Sequence, residues 1–285
     1  MTLGVFLLVL FAATCHAGWN YAARKVSGNL VVIWLALLCG NIVLFPFAMG
    51  WNIYNGFSGS ISTSGIGYII ASGVIHSVYF ILLAYAYRLG EISVVYPIAR
   101  GSGVGLTAIL AWLVLSEEVS IYGAVGIGLI LAGIISMGLP AFNRTVKIQG
   151  LGLALCVGSI IMSYSLIDNG GVSHVDPVLY MWLMGTVTTI LMLPYVFYKY
   201  AGAIMQTFKE YYTYILIIGM GSISSYLIIL IVFTVGSVSY IVAVREFAVV
   251  IGALLGIIFM KEQCTLAKIA GIASIVFGLI CIKGS

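Results

Sequence analysis

The chain has 285 residues, of which 62% are hydrophobic and 7% are charged, and its formal net charge is +4. A soluble domain carries about 25% charged residues. The low charged fraction of this chain therefore excludes a surface that faces water on all sides. The basic residues are scattered among apolar segments and form no patch, which argues against nucleic acid as a partner.

Ten apolar stretches are long enough to cross about 30 Å of hydrocarbon as helices. In chain order they are residues 3–21, 30–49, 66–87, 92–115, 121–139, 151–167, 177–198, 214–235, 238–260 and 266–282. Each stretch is continuous rather than alternating, which favours helices over barrel strands. Two longer loops are predicted at 50–64 and 199–213. The sequence therefore predicts an all-α integral membrane protein with ten transmembrane helices.

The first stretch also resembles the core of a signal peptide, with Cys15 placed as in a lipoprotein. It lacks a basic start, and its apolar run continues past Cys15 to Trp19, so we interpret it as the first spanning helix. The five cysteines lie mostly in apolar stretches without a Cys-x-x-Cys spacing, and we expect neither a disulfide nor a metal site. No cofactor is predicted.

The two halves of the chain repeat each other. Arg100 and Arg245 stand at equivalent positions 145 residues apart, and so do Glu117 and Glu262. Five helices per copy is an odd number, so the second copy must enter the membrane from the opposite side, as in many secondary transporters. We predict a first repeat at 1–140, a linker at 141–149 and a second repeat at 150–285. A binding site is expected near the midplane, in a central cavity between the copies.

The motifs of the two copies resemble those of a known family. Residues 89–97 read LGEISVVYP, 99–103 read ARGSG and 115–118 read LSEE, and the second half echoes them with GSVS at 236–239 and MKE at 260–262. The first helix of each copy carries HAGWN at 16–20 or YSLID at 164–168. These stretches are similar to the EamA domain of the drug/metabolite transporter superfamily.

The resemblance implies ten helices in two inverted EamA repeats around a central cavity. It also implies that the protein moves a small polar metabolite, often an amino acid or a related compound, by alternating access. The expected setting is the bacterial inner membrane, with the lipid bilayer and a small-molecule substrate as partners and a homo-oligomer as an open possibility. One departure stands out: Ala243 lies near the position of Pro97, so we expect a kink in the fourth helix and none in the ninth.

Charged residues inside the apolar stretches are the first candidates for substrate binding. Arg100 and Arg245 lie about two turns inside the fourth and ninth helices. An arginine facing lipid is costly, so both should face the interior. A guanidinium group matches a carboxylate or phosphate in a bidentate way, which favours an anionic or zwitterionic substrate. A structural role stays open, in which either arginine bonds backbone carbonyls or pairs with Glu246.

Aromatic and polar residues complete the candidate site. They share helix faces at spacings of three and four residues, and their alternative role is interior packing. The remaining candidates are His16, Trp19, Asn20, His76, Tyr79, Tyr96, Tyr164, Tyr240 and Glu246. Asp168 shares a face with Tyr164, but it lies near the end of its helix and is expected to be exposed at the membrane interface. Glu117 and Glu262 at helix ends are interpreted as structural.

Three functions remain open. The leading hypothesis is a secondary transporter, because the sequence contains no phosphate-binding loop, no zinc-binding helix pair and no strand–turn–helix that could hold a nucleophilic serine. It is therefore not predicted to be an enzyme or an ATP-driven pump. The alternatives are an intramembrane enzyme that uses His16, His76 and Asp168, and a non-transporting scaffold. Lysines and arginines in loops follow odd-numbered helices, which favours a cytoplasmic position for those loops. The family usually has the opposite orientation, so the orientation stays open.

Overall fold

The computed structural model describes the backbone of residues 1–26, 28–56, 61–89, 92–145 and 148–285, and within these ranges the side chains outside 86–97, 139–151 and 260. This described part is helical and contains no strand. Its helices are α1 (Leu3–Lys25), α2 (Leu30–Tyr54), α3 (Thr63–Leu89), α4 (Ile92–Leu115), α5 (Ile121–Thr145), α6 (Ile148–Val172), α7 (Pro177–Tyr200), α8 (Ile204–Phe233), α9 (Val238–Arg245), α10 (Phe247–Met260) and α11 (Leu266–Lys283).

Short polar residues fix several helix starts in this apolar chain. The side chain of Asn29 accepts a hydrogen bond from the backbone N–H of Val31 at 3.0 Å, at the start of α2. Asp176 does the same for Val178 at 2.9 Å, directly before Pro177 as the first residue of α7. These caps satisfy backbone N–H groups that have no partner within the helix.

The protein is a multi-pass integral membrane protein. Nine segments of the described chain are long and apolar enough to cross a bilayer. One of them, Pro177–Phe233, contains both α7 and α8 with a 3-10 turn at Ala201–Ala203 between them, and the count of ten crossings stays a prediction. Large apolar side chains cover the outside of the bundle, such as Phe47, Ile258 and Phe277. Such a surface suits contact with acyl chains.

Two expectations about helix continuity are wrong. The ninth segment, expected to continue without a kink, is broken at Glu246 into α9 and α10. The backbone of α4 is helical from Ile92 to Leu115, and the kink expected there stays a prediction. The break lies in the second half, where Ala243 stands near the position of Pro97. The break is therefore not caused by a proline that lacks a backbone N–H group. The loop predicted at 199–213 is mostly helical: α8 begins at Ile204, and only Tyr211 has a non-helical conformation within it.

The helix contacts of the two halves mirror each other. Helix α3 packs on α6 and α7, and its counterpart α8 packs on α1 and α2. Helix α4 packs on α6, and its counterparts α9 and α10 pack on α1. The last helices of the halves, α5 and α11, pack on each other. Each of these helices thus contacts helices of the other half that are equivalent to those contacted by its counterpart.

The α5–α11 contact shows this correspondence at the level of atoms. A Cβ placed on Gly126 would lie 2.7 Å from the carbonyl oxygen of Gly278, and a Cβ on Gly271 would lie 2.7 Å from that of Gly133. A shift of 145 residues converts one pair into the other. Glycine is required at these positions because the two backbones touch.

The ends of α4 and α10 also share one backbone geometry. Ser116 and Lys261 adopt the left-handed conformation, with φ of 54° and 53°. The N–H of Glu117 then donates to the carbonyl of Ala111 at 3.3 Å, and the N–H of Glu262 donates to the carbonyl of Gly256 at 3.2 Å. Both ends are therefore the same helix-terminating motif, and the repeated sequence produces a repeated local fold.

Candidate functional site

A buried cavity of about 70 Å³ lies between helices of both halves. Helices α1, α2 and α3 line it from the first half, and α6, α7, α8 and α9 line it from the second. A site that holds one water needs about 10–15 Å³ on this measure, so the cavity has room for several waters or a small polar group. Six predicted site residues line it: His16, Trp19, His76, Tyr79, Tyr164 and Arg245.

Three buried polar atoms at this cavity have no hydrogen-bond partner among the described residues. They are the indole Nε1 of Trp19, the amide Oδ1 of Asn41 and the guanidinium Nε of Arg245. All three residues line the same cavity. Buried polar groups are nearly always paired, so a donor, an acceptor and a charged donor together indicate a site that is completed by something polar in the cavity.

Arg245 is the cation of the cavity. Its side chain is buried in the last turn of α9. Its Nη2 donates to the hydroxyl of Tyr164 at 3.3 Å, and its Cζ lies 5.9 Å from the centre of that ring. A hydroxyl and an aromatic face do not neutralise a guanidinium charge, and no ion pair to Arg245 is present among the described side chains.

A cluster of rings forms one wall of the cavity. The imidazole of His76 lies 4.5 Å from the ring of Tyr164 and 5.5 Å from that of Tyr226, measured between ring centres. The ring of Tyr79 lies 5.7 Å from that of Tyr164. These rings come from α3, α6 and α8, so residues of both halves are held together at one place.

Asp168 is buried rather than exposed, and the sequence-based expectation for it is wrong. Its side chain has no exposed surface, although it lies in the last turns of α6. It accepts a hydrogen bond from Tyr180 at 2.8 Å and another from Tyr226. His76 Nε2 lies 4.0 Å from its Oδ2. The helix extends to Val172, so the position read as a helix end lies inside the bundle.

Arg100 and Glu246 form a buried ion pair away from the lining of the cavity. The Nε of Arg100 donates to Oε2 of Glu246 at 2.9 Å, and its Nη2 donates to Oε1 at 2.5 Å. The side chains are 3% and 1% exposed. Glu246 is the residue between α9 and α10, so this pair joins α4 to the break in the second half. Arg100 thus has the ion-pair partner that the structural alternative named.

Glu117 joins the two halves at another point. Its carboxylate accepts hydrogen bonds from the N–H groups of Val238 at 2.6 Å and Ser239 at 3.2 Å, and from the hydroxyl of Ser239. Tyr240 belongs to the same region, because its hydroxyl accepts a hydrogen bond from the N–H of Ser120 at 2.9 Å. Glu117 therefore caps α9 of the second half, and Tyr240 lies outside the cavity lining.

Glu262, the counterpart of Glu117, has different partners. It accepts from Arg24 at 3.3 Å and from Lys268 at 2.9 Å. Burial alone would raise the pKa of Glu262, but the hydrogen bond and charge of Lys268 and the charge of Arg24 outweigh it and hold that pKa below its ordinary value. The equivalent carboxylates after the ends of α4 and α10 are thus engaged in different contacts.

The other predicted site residues have other positions. Asn20 donates to the carbonyl of His16 on its own helix at 2.8 Å and does not line the cavity. The side chain of Tyr96 lies outside the described residues. The site list from the sequence omitted Asn41 and Asp168, although an asparagine within an apolar stretch and an aspartate directly after one were visible signals.

Comparison with known proteins finds a matching family model and a solved structure of similar fold. Residues 3–139 match the model of the EamA-like transporter family. A solved crystal structure with 15% sequence identity superposes with a TM-score of 0.74, over 99% of this chain and 96% of that chain. At this identity the likeness shows the fold alone. No curated protein matches the sequence significantly.

Proposed function

Because residues 3–139 belong to the EamA-like transporter family, within the drug/metabolite transporter superfamily, we propose that the protein is a secondary transporter of a small anionic or zwitterionic metabolite. An amino acid-like compound is the expected type of substrate, and the bacterial inner membrane is the expected location. The observation that supports this substrate class is Arg245, a buried guanidinium group that lines the cavity without a carboxylate partner among the described residues.

The charge of Arg245 favours an anion in the cavity. A buried cation without a counterion is costly, and a carboxylate that enters the cavity would relieve that cost through charge-assisted hydrogen bonds. Arg100 does not compete for this role, since both oxygens of Glu246 already bind it. Of the two arginines at equivalent positions of the repeat, Arg100 would thus stabilise the fold and Arg245 would bind the substrate.

The other unsatisfied groups favour a substrate that also carries a hydrogen-bond donor. Asn41 Oδ1 offers an acceptor, which an ammonium or hydroxyl group could use. Trp19 Nε1 offers a donor, and the rings of Tyr79 and Phe80 line the same space. Aromatic faces attract cations. Together these groups suit a small zwitterion whose carboxylate binds Arg245.

The substrate class can be tested with purified protein in liposomes. Uptake of radiolabelled anionic, zwitterionic and cationic solutes of similar size is measured side by side, with protein-free liposomes as the control. We expect the anionic and zwitterionic solutes to enter and the cationic ones to stay out, because Arg245 repels a net positive charge. Transport of cations alone would contradict the proposal.

We propose that transport proceeds by alternating access. The support is the difference between two equivalent carboxylates: Glu117 binds the start of α9, whereas Glu262 binds Arg24 and Lys268. In an inverted repeat, the opposite-facing state arises when the copies exchange conformations. In that state, Glu117 would release Ser239 while Glu262 moved to the start of α4.

A reversible cross-link tests whether the contact between Glu117 and Ser239 opens during transport. Both residues are changed to cysteine in a chain whose five native cysteines are replaced by alanine, and a short bifunctional methanethiosulfonate joins the pair. We expect uptake to fall to the background of empty liposomes and to recover after reduction. The single-cysteine variants treated alike are the controls. Unchanged uptake through cross-linked protein would show that this contact stays closed throughout the cycle.

A further inference from the structure

His76 and Asp168 form a buried pair that has no role in the proposed binding of the substrate. Asp168 is fully buried and accepts two tyrosine hydroxyls, from Tyr180 and Tyr226. Two neutral donors orient a carboxylate but leave its charge uncompensated. Among the described side chains, His76 is the group that could supply a positive charge, with Nε2 at 4.0 Å from Oδ2 of Asp168.

The hydrogen bonds of His76 indicate which nitrogen is free to take up a proton. Its Nδ1 lies 3.0 Å from the carbonyl oxygen and 3.1 Å from the hydroxyl oxygen of Ser72, one turn earlier in α3. A hydroxyl can donate or accept, whereas a carbonyl can only accept, so we assign the proton of the neutral ring to Nδ1. The lone pair of Nε2 then faces Asp168. A proton added at Nε2 turns two facing acceptors into an ion pair.

Other titratable and charged groups surround this pair from each neighbouring helix. Helix α6 contributes Tyr164, α7 contributes Tyr180 and α8 contributes Tyr226. Helix α9 contributes Arg245, which binds the hydroxyl of the same Tyr164 that lies against His76. Helix α1 contributes the imidazole of His16 to the same cavity lining. The residue that α2 contributes there, Asn41, is neutral, and Arg100 of α4 is held by Glu246. Arg245 is thus the cation that opposes a proton on His76.

We propose that His76 and Asp168 form a proton-binding site and that its proton moves together with the anionic substrate. The proton enters from the cavity, which His76 lines, and binds Nε2. An anion on Arg245 would cancel the charge that disfavours this proton, and by linkage the proton would strengthen binding of the anion. The coupling to substrate rests on the proposed function, whereas the proton site itself does not.

Histidine NMR tests both parts without a known substrate. The chain contains three histidines, His16, His76 and His174, so isotope-labelled histidine in the full-length protein in lipid nanodiscs gives few signals, assigned by single replacements. We expect the His76 signals to change from neutral to protonated as the pH falls between about pH 8 and pH 5. In Asp168→Asn, this change should move to lower pH by about one unit or more, because the opposite charge is gone.

The variant Arg245→Gln removes a cation, which imitates its neutralisation by an anion. We expect the His76 change to move to higher pH in this variant, opposite in sign to the effect of Asp168→Asn. His174 at the exposed end of α6 is the internal control and should respond to neither variant. If the His76 signals show no protonation over this pH range, or if the pH of protonation is the same in Asp168→Asn, there is no proton-binding pair. If Asp168→Asn does not fold, Arg245→Gln still decides, and an unmoved signal there refutes the coupling. Both results are independent of whether any solute is transported.

Discussion

Replacement of Arg245 by glutamine is expected to lower uptake of anionic solutes about a hundredfold or more. A carboxylate bound by a buried guanidinium forms two charge-assisted hydrogen bonds, each contributing about 1.5–3 kcal/mol. Each 1.4 kcal/mol corresponds to about a factor of ten. Arg245→Lys should retain part of the uptake, because lysine keeps the charge but not the planar pair of donors. Initial rates in liposomes at several solute concentrations measure the effect.

The matched control for Arg245→Gln is Lys25→Gln. It removes one positive charge from the end of α1, outside the cavity lining, and should leave anion uptake nearly unchanged. Thermal unfolding confirms that each variant is folded before its rate is compared. A folded Arg245→Gln protein that transports anions at the rate of the unchanged protein would show that the guanidinium does not hold the substrate.

Much of the fold follows from the sequence because the bilayer restricts the choices. Backbone groups in hydrocarbon must be satisfied within the segment, so the long apolar runs become helices. The runs predict most of the observed helix starts, but α1, α2, α5 and α6 extend past their predicted ends, and α8 begins before its predicted start. Glu117 and Glu262 stand at equivalent positions of the repeat, and the helices before them end with the same backbone geometry. The break at Glu246 was not predicted, and the partner of Glu246, Arg100, is far away in the sequence.

The site was harder to predict for the same reason. Periodicity places His16 and Trp19, or His76 and Tyr79, on one face of a helix, and these residues do line the cavity. It does not show how deeply a residue lies along the membrane normal, so Asp168 was misplaced. Nor does a repeat show which of two equivalent arginines has an acidic neighbour. Arg100 has Glu246, whose position in the first copy is occupied by Gly101.

The ion pair of Arg100 and Glu246 gives the largest expected effect on stability. Both side chains are almost fully buried, and removal of one partner leaves the other charge without compensation. Arg100→Gln or Glu246→Gln should each lower the free energy of unfolding by about 3–5 kcal/mol. The double variant should lose much less than the sum of the two single effects, because two glutamines can hydrogen-bond to each other and no charge is left buried. Denaturant unfolding in detergent measures all three.

The double variant also separates the two roles that the sequence allowed for Arg100. If Arg100 only joins α4 to the break between α9 and α10, the folded double variant retains anion uptake within about tenfold of the unchanged protein. The reason is that a hydrogen bond between the two glutamines still joins α4 to the break beside Arg245. If Arg100 instead binds the substrate during part of the cycle, the double variant folds but loses uptake as completely as Arg245→Gln does. We expect the first result, because the two oxygens of Glu246 bind Arg100 in a bidentate way within the bundle.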